Sequence, residues 1–234
     1  MERTYGREFT IRDYLNRVFG KMCIGLLVTA LVSYMCAATG LYYKFVMVFG
    51  GLGSLLLFAV EMVVSWKIAR HVFDYDSSTA NFMFYIFAGI NGFSLSSLFY
   101  AYNIGTLFTA FLFTAVLFGC FMIIGKFTNV DMSRFSGLLT GGLMALLVCS
   151  LLSFFIPMFR ANMMIDFLGL ILFFALTVWD IQSISRMYYS GGAVKEGLST
   201  YGALSLYLDF INIFVRVLSL MARYGEVVSR ILCK

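Results

Sequence analysis

The sequence predicts an all-α integral membrane protein, a bundle of seven transmembrane helices with the last helix at its centre. Three observations predict it. Of 234 residues, 61% are hydrophobic and only 12% are charged, whereas soluble domains rarely exceed about half apolar residues. The mean hydropathy is +0.90, and apolar runs of about 20 residues, the length that crosses a bilayer, recur along the chain. The last run carries a line of polar residues that cannot face lipid.

Residues 1–21 are polar and mixed in charge. Thr10 is placed to cap a short helix with Ile11, Tyr14, Leu15 and Val18 on one face. Two readings stand side by side. One is a cytoplasmic amphipathic segment lying on the membrane surface, apart from a seven-helix domain over 22–234. The other is a simple extension of the first span. The first apolar run, 22–43, is too long for a signal-peptide core and lacks a small-residue cleavage site, so it is expected to remain as a span.

The second span is predicted near 46–68, ending in Trp66 and Lys67. The third covers 80–100 and the fourth 105–125, leaving room only for a tight turn at 100–103. The fifth covers 136–157 and ends at Pro157, the only proline. The sixth covers 163–184 and the seventh 203–222. Tyr and Trp collect at these borders, as an interfacial belt requires. Gly50, Gly51 and Gly53 in the second span, and the Gly137/Gly141 pair in the fifth, read as sites of close helix packing.

Orientation follows from basic residues in the loops. Arg3, Arg7, Arg12, Arg17, Lys21, Lys67, Arg70, Lys126, Arg134, Arg186 and Lys195 fall on the N-terminal side. Lys44, Arg160, Arg223, Arg230 and Lys234 fall on the other. Eleven against five places the N-terminus in the cytoplasm and, with seven spans, the C-terminus outside. A six-span variant with a re-entrant final segment would return the C-terminus to the inside.

Several functions are disfavoured. The net charge of +5 is scattered over span ends, which gives no nucleic-acid footprint. The five cysteines form no close pair, so disulfides and metal clusters are not expected. The single histidine, the lack of a nucleophile elbow and the absence of an H-E-x-x-H element argue against an enzyme, and no cofactor is expected. No long internal repeat is visible, which counts against a proton-coupled transporter.

The chemistry therefore rests on intramembrane charges. A carboxylate at bilayer depth costs roughly 2.5–3.5 kcal/mol on insertion scales, so it needs a reason. Asp180 lies about 6 Å from the inner end of the sixth span, and Asp209 about 9 Å into the seventh. They reach similar depth on the same side. If their faces meet, they titrate as a pair that shares one proton and loses both only with difficulty. A Ca²⁺ ion could replace that proton, since hard oxygen ligands suit it.

Glu61 is a third candidate, in the inner half of the second span with no cation at i+3 or i+4. The seventh span carries a stripe of Tyr201, Ser205, Asp209, Asn212, Arg216 and Ser219 or Arg223 at steps of three and four. Arg216 is placed either to neutralise a carboxylate or to snorkel outward. Asn91 and Asn212 either line a cavity or make packing hydrogen bonds. Arg70 reads equally as a topology anchor or as a partner for an acid.

Residues 203–214 read A-L-S-L-Y-L-D-F-I-N-I-F, and the sixth span ends in L-T-V-W-D-I-Q-S-I. With the Glu61 region, these segments resemble the Bax inhibitor-1 family, also called the transmembrane Bax inhibitor motif family, in a bacterial member. The resemblance implies a calcium-leak channel sensitive to pH, with Asp180 and Asp209 as a di-aspartyl proton sensor and Glu61 as the second-span glutamate. It implies an arginine latch, for which Arg70 is the nearest match. A family arginine late in the last helix would fall at Ser219 here, whereas this chain has Arg216 and Arg223.

It follows that Ca²⁺ and protons are the expected partners, with the bilayer of a bacterial inner membrane around a monomer or weak homo-oligomer. The alternative is a non-conducting regulator of a membrane protease or a stress pathway, working through a membrane protein partner.

Overall fold

The computed structural model describes residues 10–71, 77–156, 163–189 and 196–232. Pro157, expected to end the fifth span, and the charges Arg3, Arg7, Asp74, Asp76, Arg160, Lys195 and Lys234 lie outside the described residues, as does Cys233. In chain order the helices are α1 (Ile11–Ala38), α2 (Leu41–His71), α3 (Ser77–Leu95), a short α4 (Leu98–Ala101) and α5 (Ile104–Phe127). A 3₁₀ turn (Met132–Phe135) then leads into α6 (Ser136–Phe155), α7 (Met163–Met187) and α8 (Glu196–Leu232). Seven of these segments are long and apolar enough to cross a membrane, α3 and α4 counting as one. A hydrocarbon core offers backbone groups no water, so helices that satisfy their own hydrogen bonds are the stable solution for such runs.

Residues 11–21 run on into the first span as a single helix, α1, and residues 1–9 lie outside the described residues. Thr10 accepts from the Asp13 amide while the Asp13 carboxylate accepts from the Thr10 amide at 3.1 Å, a reciprocal capping box. Tyr14 and Val18 are buried in the bundle, and the Tyr14 hydroxyl donates to the Leu198 carbonyl at 3.3 Å. The apolar face proposed for a membrane surface is used for packing.

Two glycines interrupt the helices. Gly40 (φ 67°) turns the chain between α1 and α2, and Gly50 (φ 58°) breaks α2 internally. Both lie in the left-handed region that favours glycine. Of the Gly50 cluster, Gly53 is closely packed, against Phe45 and Phe49 of its own helix, while Gly50 and Gly51 have no neighbour beside their Cα hydrogens. Gly137 and Gly141 likewise face open space, and Gly142 is the glycine of α6 that meets α7, through Leu172.

The third span divides because Ser96 and Ser97 turn their hydroxyls back onto the Phe93 and Ser94 carbonyls, at 2.6 and 2.8 Å. Those bonds compete with the helical ladder.

Helix α8 is the centre. Half of its spanning window is buried, against a third or less in every other span. It packs on α7, α5, α1 and α3, with a smaller contact to α2. Tyr207 anchors this core edge-on to Phe84 and Phe87, and Phe210 meets Phe111 and Phe118. Helices α2 and α6 are peripheral and present apolar side chains such as Leu52 and Leu138 outward. Helix α8 starts earlier than its apolar run because the polar residues of its first turns find partners. Lys21 of α1 donates to Ser199 at 2.8 Å and Thr200 at 2.9 Å, and Thr200 donates to Asn81 of α3 at 2.7 Å.

Candidate intramembrane site

Helices α7 and α8 run antiparallel, and one register aligns their polar residues. Asp180 lies beside Ser205, Thr177 beside Asp209, Gly169 beside Arg216 and Asp166 beside Ser219. Each step along α7 is matched, to within one residue, by a step back along α8. The polar stripe read from the last span therefore faces α7 along its length.

At one end of this seam the charge of Asp180 reaches Asp209 and Tyr201. Asp209 is 5% exposed, and its Oδ2 is buried without a hydrogen-bond partner. The Thr177 hydroxyl beside it donates to the Phe173 carbonyl at 2.8 Å. This end of α7 is fixed by Gln182, which donates to the Val130 carbonyl at 2.8 Å and accepts from the Met132 amide at 3.0 Å. Arg186 adds an ion pair to Asp131 at 3.1 Å. Gln182 thus clamps the α5–α6 connection to the helix that carries Asp180. Its place two residues after the aspartate, in the quoted motif, was the available signal.

Glu61 sits elsewhere. The Ser94 hydroxyl of α3 faces it, and its charge reaches Tyr207 of α8. Tyr207 and Asp209 are about 200° apart around their helix, so Glu61 approaches α8 from the face opposite the aspartates. The Tyr207 hydroxyl lies 2.7 Å from Thr29, which in turn lies 2.9 Å from the Ala88 carbonyl. Glu61 Oε1 and Asn91 Oδ1 are buried without hydrogen-bond partners.

Arg70 is exposed and stacks over Trp66, 4.8 Å from the ring centroid. It makes no ion pair with Asp180 or Asp209. Asn212 donates to the Leu208 carbonyl of its own helix at 2.8 Å.

Arg216 is the residue whose partner the sequence reading missed. It lies 3.6 Å from the Asp166 carboxylate and donates to the Ile165 carbonyl at 3.3 Å. Asp166 also pairs with Arg223 at 3.1 Å and accepts from Ser219 at 2.7 Å. The guanidinium fits because position 169 is glycine: a Cβ there would stand 2.3 Å from Arg216 Cζ. This cluster is fourteen residues from Asp180 along α7, about 21 Å. Asp166 did not figure among the sequence candidates, but the α7–α8 register leads directly to it.

Among the described residues no group of three or more His, Cys, Asp or Glu gathers at one point. Ca²⁺ takes six to eight oxygens in a resident site. Asp180 and Asp209, with the hydroxyls of Ser205 and Thr177, do not form such a group.

This architecture is that of a multi-pass helical membrane protein with a buried charged seam along its central helix. Comparison with known proteins gives the lineage. The family model described as "Inhibitor of apoptosis-promoting Bax1" matches residues 11–226, and the chain belongs to this Bax inhibitor-1 family. It is 29% identical over 220 residues to the inner membrane protein YbhL of Escherichia coli, covering 89% of this chain and 90% of the relative. An uncharacterized protein of Borreliella burgdorferi is 28% identical over 221 residues, covering 93% and 95%. An uncharacterized membrane protein of Streptococcus pyogenes is 38% identical over 142 residues, covering 60% and 62%.

Proposed function

We propose that this chain is a pH-sensitive calcium-leak channel of the Bax inhibitor-1 type, with the protonation of Asp180 and Asp209 setting whether the path between α7 and α8 conducts. The observation that carries the reading is the placement of two carboxylates within electrostatic reach, on antiparallel helices, with one Asp209 oxygen unpartnered. A shared proton holds such a pair together, and its loss sets two negative charges against each other in a medium of low polarity. The α7–α8 seam is the element that such repulsion would move. Ca²⁺ is the cargo, and no cofactor or catalysis is invoked. A bacterial inner membrane, with the N-terminus on the cytoplasmic side, is the setting that the basic loops and the E. coli relative's name support. The test is Ca²⁺ entry into dye-loaded liposomes containing the purified chain. Entry above protein-free vesicles is expected, and its absence under all conditions would reject the channel.

The second reading is a non-conducting regulator that acts on a membrane protein partner. Arg216 and Arg223 favour it: two guanidinium groups against one carboxylate leave the far end of the seam positive, which opposes a divalent cation. Silent liposomes, together with a stable complex with a membrane protease, would select it.

A further inference from the structure

Helices α1 and α5 both pack on α8 without an extensive contact with each other. The gap left between them and α7, at the end where α1 begins and α5 ends, is a cavity of about 330 Å³. Its rim carries two exposed cations, Arg12 in the first turn of α1 and Lys126 in the last turn of α5. Its floor is apolar, made by Leu15 and Phe19 of α1, Met122 of α5 and Ile181 of α7. Asn16 and Ser185 supply polar groups between rim and floor.

We propose that this cavity binds the headgroup of an anionic phospholipid, with the first part of an acyl chain along the apolar floor. Both cations stand at the ends of spanning helices, the level at which lipid phosphates lie, and basic pockets between helices recognise such headgroups. The neighbouring acids are already engaged. Asp13 is held in the capping box with Thr10, and Asp131 pairs with Arg186. The floor separates a lipid from free phosphate, because four apolar side chains offer nothing to an inorganic anion. A site here would let membrane composition act on α7, since Ile181 follows Asp180 directly. The inference is independent of whether the chain conducts.

The test titrates the full chain in neutral detergent with phosphatidylglycerol and, separately, phosphatidylcholine, reading bound lipid by native mass spectrometry. Preferential binding of phosphatidylglycerol is expected, with apparent affinity falling about tenfold or more in the Arg12→Gln/Lys126→Gln variant, given the attraction of each basic residue for anionic lipid. Arg134→Gln, a basic change outside the cavity at the same end, is expected to leave affinity within about twofold. Thermal melts confirm that each variant is folded. Equal binding of the two lipids, an equal loss with Arg134→Gln, or displacement of the lipid by inorganic phosphate at similar concentration would overturn the proposal.

Discussion

The Arg216 guanidinium lies 3.6 Å from the Asp166 carboxylate, across the α7–α8 seam and far from the aspartates at its other end. Both side chains are largely buried, at 13% and 19% exposure. Removing one partner leaves an uncompensated charge that is largely shielded from water, which costs more than the pair itself contributes. Asp166→Asn is expected to destabilise the protein by about 3 kcal/mol, because it strands Arg216 and Arg223 together. Unfolding by denaturant in detergent micelles measures this. A change below about 0.5 kcal/mol would show that the arginines are solvated rather than paired.

Gly169 gives a sharper test of the same contact. A Cβ at this position would collide with the guanidinium, which is held by Asp166 and the Ile165 carbonyl. Gly169→Ala is expected to cost about 1–2 kcal/mol in the native background. In the Arg216→Ala background, itself destabilised by loss of the pair, Gly169→Ala is expected to add almost nothing, because the colliding atoms are gone. Additive effects in a double-mutant cycle would contradict the placement of Arg216.

These residues also show where the sequence was legible. Seven spans could be read because the bilayer imposes length and hydropathy on each helix separately, and the centrality of the last helix followed from the polar stripe it carries. The similar depth of Asp180 and Asp209 was legible because they lie on consecutive antiparallel spans. The Asp166–Arg216 contact was not, since fifty residues separate the partners and each alone resembles an ordinary boundary or snorkelling charge. The Gly50 break was equally hidden: a glycine cluster signals close packing or backbone freedom, and only the backbone tells which. Arg70, read equally as an anchor or as a partner for an acid, stacks on Trp66 one turn earlier, a contact that neither reading named.

Tyr207 ties α8 to α1 through Thr29 at 2.7 Å. Thr29 has two carbonyls within reach of its single proton, Ala88 at 2.9 Å and Gly25 at 3.0 Å. The arrangement that satisfies every group has Tyr207 donating to Thr29, and Thr29 donating to a carbonyl. Tyr207→Phe removes a buried hydrogen bond without creating a void and is expected to cost about 1–2 kcal/mol. Thr29→Val in the same background should then add less than it does alone. An unchanged melting temperature in Tyr207→Phe would show that the hydroxyl is not bonded.

Outside the membrane, the Asp131 carboxylate is held below the usual aspartate range, first by the Ser133 amide and then by the Ser133 hydroxyl and Arg186. A carboxylate whose acidity is strengthened by folding stabilises the native state above its unfolded pKa. That contribution is lost as pH falls through the folded value. Asp131→Asn should therefore weaken stability slightly near neutral pH and flatten its decline in acid. Melting temperatures of the two proteins in detergent across the acid range check this. Parallel acid limbs would contradict it.

Asp180 and Asp209 carry the central claim, and Ca²⁺ flux into proteoliposomes from about pH 5 to about pH 8 tests it most directly, a range in which a proton-sharing carboxyl pair can change its charge. The account predicts flux that changes severalfold across this range in the native chain and loses its pH response in Asp209→Asn, with the variant still folded. Flux with the same magnitude and the same pH response in Asp209→Asn would contradict it.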